Sequence, residues 1–262
     1  MLIKKIFRPL TILSYADLAT LTSAVLGFLA IIYIIDGIPS SFVVAMMILP
    51  ICAIIDGMDG ALARKFGTKH EFGKYLDSIS DSICFGIAPS ILIYSLYYNI
   101  ERGPALDFIN DDLEFSFRYN LHNFLAILAS LMVLILSILR LARFTRGNQG
   151  NNQYFSGLPS PGLTMFVVVI SIKFSLVNDY DSILIPIILC FASLLMVTTI
   201  PYAKARDKFR NPILFGILVL IFTVVLLFFE HNLWKSLWYL SFALYLVYFA
   251  LIPILISRGF FD

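Results

Sequence analysis

The stretch "IIDGMDGALARKFGTKHEFGKYLDSISD", Ile54 to Asp81, sets four carboxylates, Asp56, Asp59, Asp77 and Asp81, between two segments apolar enough to lie in a bilayer. A carboxylate at membrane depth costs roughly 2.5–3.5 kcal/mol on insertion scales, so a group of them calls for chemistry. Asp56 and Asp59 are three apart, and Gly60, Ala63 and Arg64 continue their stripe by steps of three and four. Gly73, Asp77 and Asp81 are each four apart and form a second stripe. On helices joined by the short basic turn "KFGTKHE" the two stripes can face each other. Converging carboxylates repel unless cations neutralise them, and carboxylate oxygen suits Mg²⁺ or Mn²⁺, which keep coordination positions open for phosphate. Gly57, Gly60, Ala63 and Gly73 read two ways, as close helix-packing points or as room for a flat nucleotide beside the backbone.

The elements that must position these groups are membrane spans. Of the 262 residues 60% are hydrophobic and 14% charged, against roughly a quarter charged in water-soluble domains. With a mean hydropathy of +0.89, the composition predicts an all-α fold, a polytopic membrane helix bundle. Apolar windows of about 20 residues predict about eight transmembrane helices: Leu18 to Ile35, Ser41 to Phe66, Phe72 to Tyr98, Tyr119 to Phe144, Gly162 to Val177, Ser182 to Tyr202, Pro212 to Phe229 and Leu237 to Ser257. With both termini on one side, 15 of the 19 Lys and Arg residues fall on that side and three on the other, with Lys173 inside a span. The positive-inside rule then puts both termini and the carboxylates at the cytoplasmic face of the cell membrane. A net charge of +2 gives no reason to expect a nucleic-acid partner. Cys52, Cys84 and Cys190 lie in apolar runs without paired spacing and read as buried packing residues.

The pattern D-x-x-D-G-x-x-A-R, eight residues, G-x-x-x-D-x-x-x-D runs without a gap through Asp56, Asp59, Gly60, Ala63, Arg64, Gly73, Asp77 and Asp81. It resembles the signature of the CDP-alcohol phosphatidyltransferases, membrane enzymes that displace CMP from a CDP-linked donor with an alcohol. The resemblance implies a six-helix core, here residues 1–204, with 205–262 adding two C-terminal transmembrane helices. It also implies two divalent cations, Mg²⁺ or Mn²⁺, held by Asp56, Asp59, Asp77 and Asp81. The CDP-lipid, CDP-diacylglycerol or CDP-archaeol, then lies against Gly57, Asp59, Gly60, Ala63, Arg64 and Gly73. A homodimer surrounded by membrane lipids completes the expectation.

Within that family "LDSISDSICFGIAPSILIYS", "LRLARF" with "YFSGLPSPG", and "LMVTTIPYAK" resemble the phosphatidylserine synthases, departing at Ser23 and Thr145, where Asn is usual. L-serine is then the acceptor. Its carboxylate needs a cation, for which Arg140, Arg143 and Arg146 are the candidates, although each is equally readable as an anchor on lipid phosphates. Its hydroxyl needs a base, and Asp81 is assigned that catalytic role. Glycerol phosphate or inositol phosphate as acceptor, an intramembrane prenyltransferase and a cation transporter are the alternatives.

Overall fold

The computed structural model describes residues 14–66, 71–98, 113–145, 154–177 and 184–203, with Ala243, Tyr245, Tyr248 and Ile254. Within these ranges the side chains of residues 59–66, 113–120, 154–155, 173–177 and 203 lie outside the description. The architecture is an all-α bundle of α1 (Tyr15–Ile35), α2 (Pro39–Phe66), α3 (Glu71–Tyr97), α4 (Leu113–Thr145), α5 (Ser160–Val177) and α6 (Leu184–Leu194). A short antiparallel ribbon, β1 (Tyr154–Ser156) with β2 (Pro201–Ala203), pairs Phe155 with Tyr202.

α1 begins where the sequence supplies a capping box. The Ser14 hydroxyl accepts from the Asp17 N–H at 3.2 Å, and the Asp17 carboxylate accepts from the Ser14 N–H at 2.7 Å. Such a cap contributes about 1 kcal/mol. α1 and α2 pack along their lengths, and α3 lies against both. Close approach comes from a small residue: a Cβ on Gly27 would stand 2.6 Å from Cys84 Sγ and 3.2 Å from Cys84 Cα. Ser23 beside it donates to the Cys52 carbonyl at 3.4 Å, and the Cys84 thiol donates to the Ser23 carbonyl at 3.1 Å. Cys52 and Cys84 are fully buried free thiols, as their apolar setting predicts, while Cys190 is only half-buried. Gly27→Ala is expected to cost about 1–3 kcal/mol through overpacking, read as a lowered unfolding temperature in detergent.

α3 is continuous but not uniform. Its α-helical start, Glu71–Asp81, opens into a π-helical turn, Ser82–Ile87, before α-helix resumes at Ala88. A π turn widens the helix and frees carbonyls from the regular ladder. The Phe85 carbonyl there accepts the Ser137 hydroxyl of α4 at 2.9 Å and the Thr164 hydroxyl of α5 at 3.5 Å. Three helices are thus pinned directly after Asp81.

The expectation of eight transmembrane helices, six of them in the core, is corrected. Among the described residues four helices are long and apolar enough to cross a membrane: α1, Pro39–Met58 of α2, α3, and Leu121–Thr145 of α4. The apolar stretch Ser160–Ile172 of α5 and Leu184–Leu194 of α6 are shorter than the roughly 20 residues a span needs. The predicted sixth span, Ser182 to Tyr202, stops at Leu194 and gives way to a turn and then β2. The local chemistry explains the break: Val197, Thr198, Thr199 and Ile200 are β-branched, and Pro201 pushes the residue before it away from helical backbone. The predicted span Pro212 to Phe229 lies outside the described residues, and Leu237 to Ser257 is described only at the four C-terminal positions, all helical.

The ribbon is closed by Gly157, whose φ of 86° suits glycine. A Cβ there would collide with the Met196 carbonyl. The Gly157 N–H reaches the Ile200 carbonyl at 2.9 Å and the Leu158 N–H the Leu195 carbonyl at 3.0 Å. The segment "SGLP" therefore docks the start of α5 on the end of α6.

Candidate functional site

Two neighbouring helices bring carboxylates together. Asp56 of α2 with Asp77 and Asp81 of α3 each offer an oxygen, and these oxygens lie within 4.8 Å of one another. All three side chains are half-buried. An all-carboxylate donor set of this spacing fits a hard divalent cation, so the cluster is able to chelate one Mg²⁺ or Mn²⁺. Asp59, Gly60, Ala63 and Arg64 lie on the following turns of α2, and their side chains are outside the described residues.

The rotation of α3 that points Asp77 and Asp81 toward α2 is set by the serines beside them. Ser80 donates to the Thr20 carbonyl of α1 at 2.9 Å, and Ser78 shares a 2.6 Å hydrogen bond with Thr145 at the end of α4. Sequence reasoning passed over both serines, although "DSISD" places them between the aspartates and signals a helix held on more than one side. Thr145, one of the two departures from Asn, is thus the α4 end of that tie. Ser23, the other, belongs to the α1–α2–α3 contact.

The basic candidates separate. Arg140 of α4 is only 8% exposed, donates from Nη1 to the Ser160 hydroxyl at the start of α5, and faces Asp81 and Asp56 electrostatically. Arg143, one turn on, donates to the Ser156 carbonyl at 2.7 Å and to the Val197 carbonyl at 3.2 Å, tying β1 to the segment after α6. Arg146 lies outside the described residues. Ser160, fully buried, is a second residue that sequence reasoning missed. Its position between two prolines in "LPSPG" was the only signal.

The two readings of the small residues also part. A Cβ on Gly57 would meet nothing within 4 Å, so Gly57 is not a packing point but borders open space one residue from Asp56. Gly73 is half-buried, one turn before Asp77.

Fold and site together define a multi-pass membrane protein with a candidate divalent-cation centre built from the carboxylates of two adjacent apolar helices. Residues 13–201 match the family described as CDP-alcohol phosphatidyltransferase, and the chain belongs to that family. It is 32% identical over 195 residues to the archaetidylserine synthase of Methanothermobacter thermautotrophicus, covering 72% of this chain and 69% of that protein. It is 39% identical over 95 residues to a CDP-diacylglycerol–serine O-phosphatidyltransferase of Methanocaldococcus jannaschii, covering 36% of this chain and 41% of that one. A protein of the same description from Helicobacter pylori is 37% identical over 89 residues, 34% of this chain and 36% of its own length.

Proposed function

We propose that this protein transfers a phosphatidyl or archaetidyl group from a CDP-lipid to the hydroxyl of L-serine, releasing CMP. The observation that carries the reading is the convergence of Asp56, Asp77 and Asp81 within 4.8 Å beside the buried Arg140. The serine specificity in the names of the similar proteins supports the choice of acceptor.

In this reading Asp56, Asp59, Asp77 and Asp81 hold the metal, and Gly57, Asp59, Gly60, Ala63, Arg64 and Gly73 border the cytidine and diphosphate. Bound Mg²⁺ or Mn²⁺, two ions by the family pattern, supplies neutralisation of the charge gathering on the diphosphate. Asp81 accepts the serine hydroxyl proton at its carboxylate, because an alcohol is a poor nucleophile at neutral pH without a base. The serine oxygen bonds to the phosphorus carrying the lipid as the bond from that phosphorus to CMP breaks. Arg140 selects the serine carboxylate through its guanidinium fork, with Arg143 and Arg146 the further candidates for that contact. The catalytic core is residues 1–204, and 205–262 is an addition to it. The chain acts as a homodimer in the cell membrane, with termini and site in the cytoplasm, a sidedness supported by the distribution of Lys and Arg.

Purified protein given CDP-diacylglycerol, Mn²⁺ and L-serine, glycerol phosphate or inositol phosphate in turn is expected to release CMP with serine. Release with another alcohol alone would replace the acceptor, and pyrophosphate in place of CMP would replace the reaction. Gly57→Ala tests the nucleotide position separately. Because its new methyl group meets only open space, thermal stability is expected to stay unchanged while the KM for CDP-lipid rises. An unchanged KM would move the nucleotide elsewhere.

A further inference from the structure

We infer that Cys52 of α2 and Cys84 of α3 form a dithiol site that a small two-electron oxidant closes into a disulfide, which weakens metal binding at the carboxylates one helical turn away. The reaction proposed above uses neither thiol. Both are 0% exposed and lie in one buried cluster with Phe85. They also share one acceptor: the Cys52 thiol donates to the Ser23 carbonyl of α1 at 3.8 Å, and the Cys84 thiol donates to the same oxygen at 3.1 Å. Two sulfurs from different helices are thus gathered at a single point. Cys84 is backed by α1, with the Ser23 hydroxyl 3.4 Å from its Sγ and the bare Gly27 backbone so near that a Cβ there would stand 2.6 Å from the sulfur. Cys190 of α6 packs elsewhere in the core.

With hydrogen peroxide as the oxidant, the Cys84 sulfur attacks one peroxide oxygen, the O–O bond breaks, and the departing hydroxide takes the thiol proton and leaves as water. The Cys52 sulfur then attacks the sulfenic sulfur so formed. The S–O bond breaks, and a second water leaves with the Cys52 proton. Two thiols are oxidised and one peroxide is reduced to two waters. Peroxide is small and uncharged, as entry to a site without exposed surface requires. An S–S bond of about 2.0 Å draws the sulfurs off the Ser23 carbonyl and shifts α2 against α3. Cys52 lies four residues before Asp56, and Cys84 three after Asp81, so each is one helical turn from a carboxylate. The shift therefore reaches two of the three carboxylates whose oxygens meet within 4.8 Å. The effect on affinity rests on the proposed reading of that cluster as a metal site.

The test uses full-length protein in detergent, reduced and then treated with hydrogen peroxide, its remaining thiols counted by maleimide labelling after denaturation. Of the three cysteines, only Cys190 is expected to stay free in the wild type, with the Cys52 and Cys84 peptides linked in the mass spectrum and dithiothreitol restoring both thiols. Cys52→Ala is expected to keep Cys84 and Cys190 free, and Cys190→Ala to lose both of its thiols. Mn²⁺ affinity, followed by electron paramagnetic resonance, is expected to fall about tenfold on oxidation and to recover on reduction. Three free thiols after oxidation, or a bond through Cys190, would overturn the inference, and the peptide masses read this from the wild type even where a variant fails to fold. Unchanged Mn²⁺ affinity in the disulfide form would overturn the effect on the carboxylates. No Mn²⁺ binding by the reduced wild type would instead remove the metal reading, and the effect on affinity with it, while the thiol count still decides the bond.

Discussion

Asp81→Asn is expected to lower turnover by about two to four orders of magnitude, the usual contribution of a positioned general base, while the protein stays folded and binds CDP-lipid. The amide keeps the size of the carboxylate and removes its capacity to take the serine proton. Asp81 suits the role because it ends the α-helical start of α3, directly before the π turn that pins three helices through the Phe85 carbonyl. Its position is therefore fixed from behind while the carboxylate faces Asp56 and Asp77. CMP release under saturating serine gives kcat, and stabilisation of the variant by added CDP-lipid gives binding. Near wild-type turnover would remove Asp81 from the base role and leave a purely metal-holding one.

Arg140→Lys is expected to raise the KM for L-serine by roughly ten- to a hundredfold, the scale of one or two lost charge-assisted hydrogen bonds, with the positive charge kept. Lysine offers a point charge in place of the planar fork and does not reproduce a bidentate grip on a carboxylate. The charge itself has to stay, because removing one partner from a buried ionic group costs about 3–5 kcal/mol, and Arg140 faces Asp56 and Asp81 from a site 8% exposed. Arg143→Lys is the contrasting case. Arg143 is engaged with the carbonyls of Ser156 and Val197, so its loss is expected to lower the unfolding temperature more than it changes serine KM. A serine KM unmoved by Arg140→Lys would pass the acceptor site to another residue.

The convergence of Asp56, Asp77 and Asp81 was legible because helical periodicity is strict. Asp77 and Asp81 at i, i+4, across a tight turn from Asp56, had to share a face, and their oxygens meet within 4.8 Å. The helices bearing them were legible for the same reason, since α1 to α4 are long apolar runs ending at polar residues. From Leu195 to Tyr202 the reading failed. An apolar window does not distinguish a helix from an extended segment, and the β-branched run ending at Pro201 prefers the latter. β1 and β2 are three residues each and distant in sequence, so no local pattern announced their pairing. Arg140 and Arg143 looked equivalent one turn apart, yet tertiary packing divides them between the aspartates and the ribbon. Gly27 drew no notice in the sequence but is the contact point against Cys84, whereas Gly57, read as a possible contact, faces open space.

The central claim is that α2 and α3 jointly grip a divalent cation through Asp56 and Asp77, with Asp81 beside them. Titrating Mn²⁺ into purified wild-type protein, Asp56→Asn and Asp77→Asn, with free Mn²⁺ followed by electron paramagnetic resonance, tests it most directly. Saturable binding by the wild type, weakened about tenfold or more in each variant, is the predicted result. Equal Mn²⁺ affinity in all three proteins would contradict it.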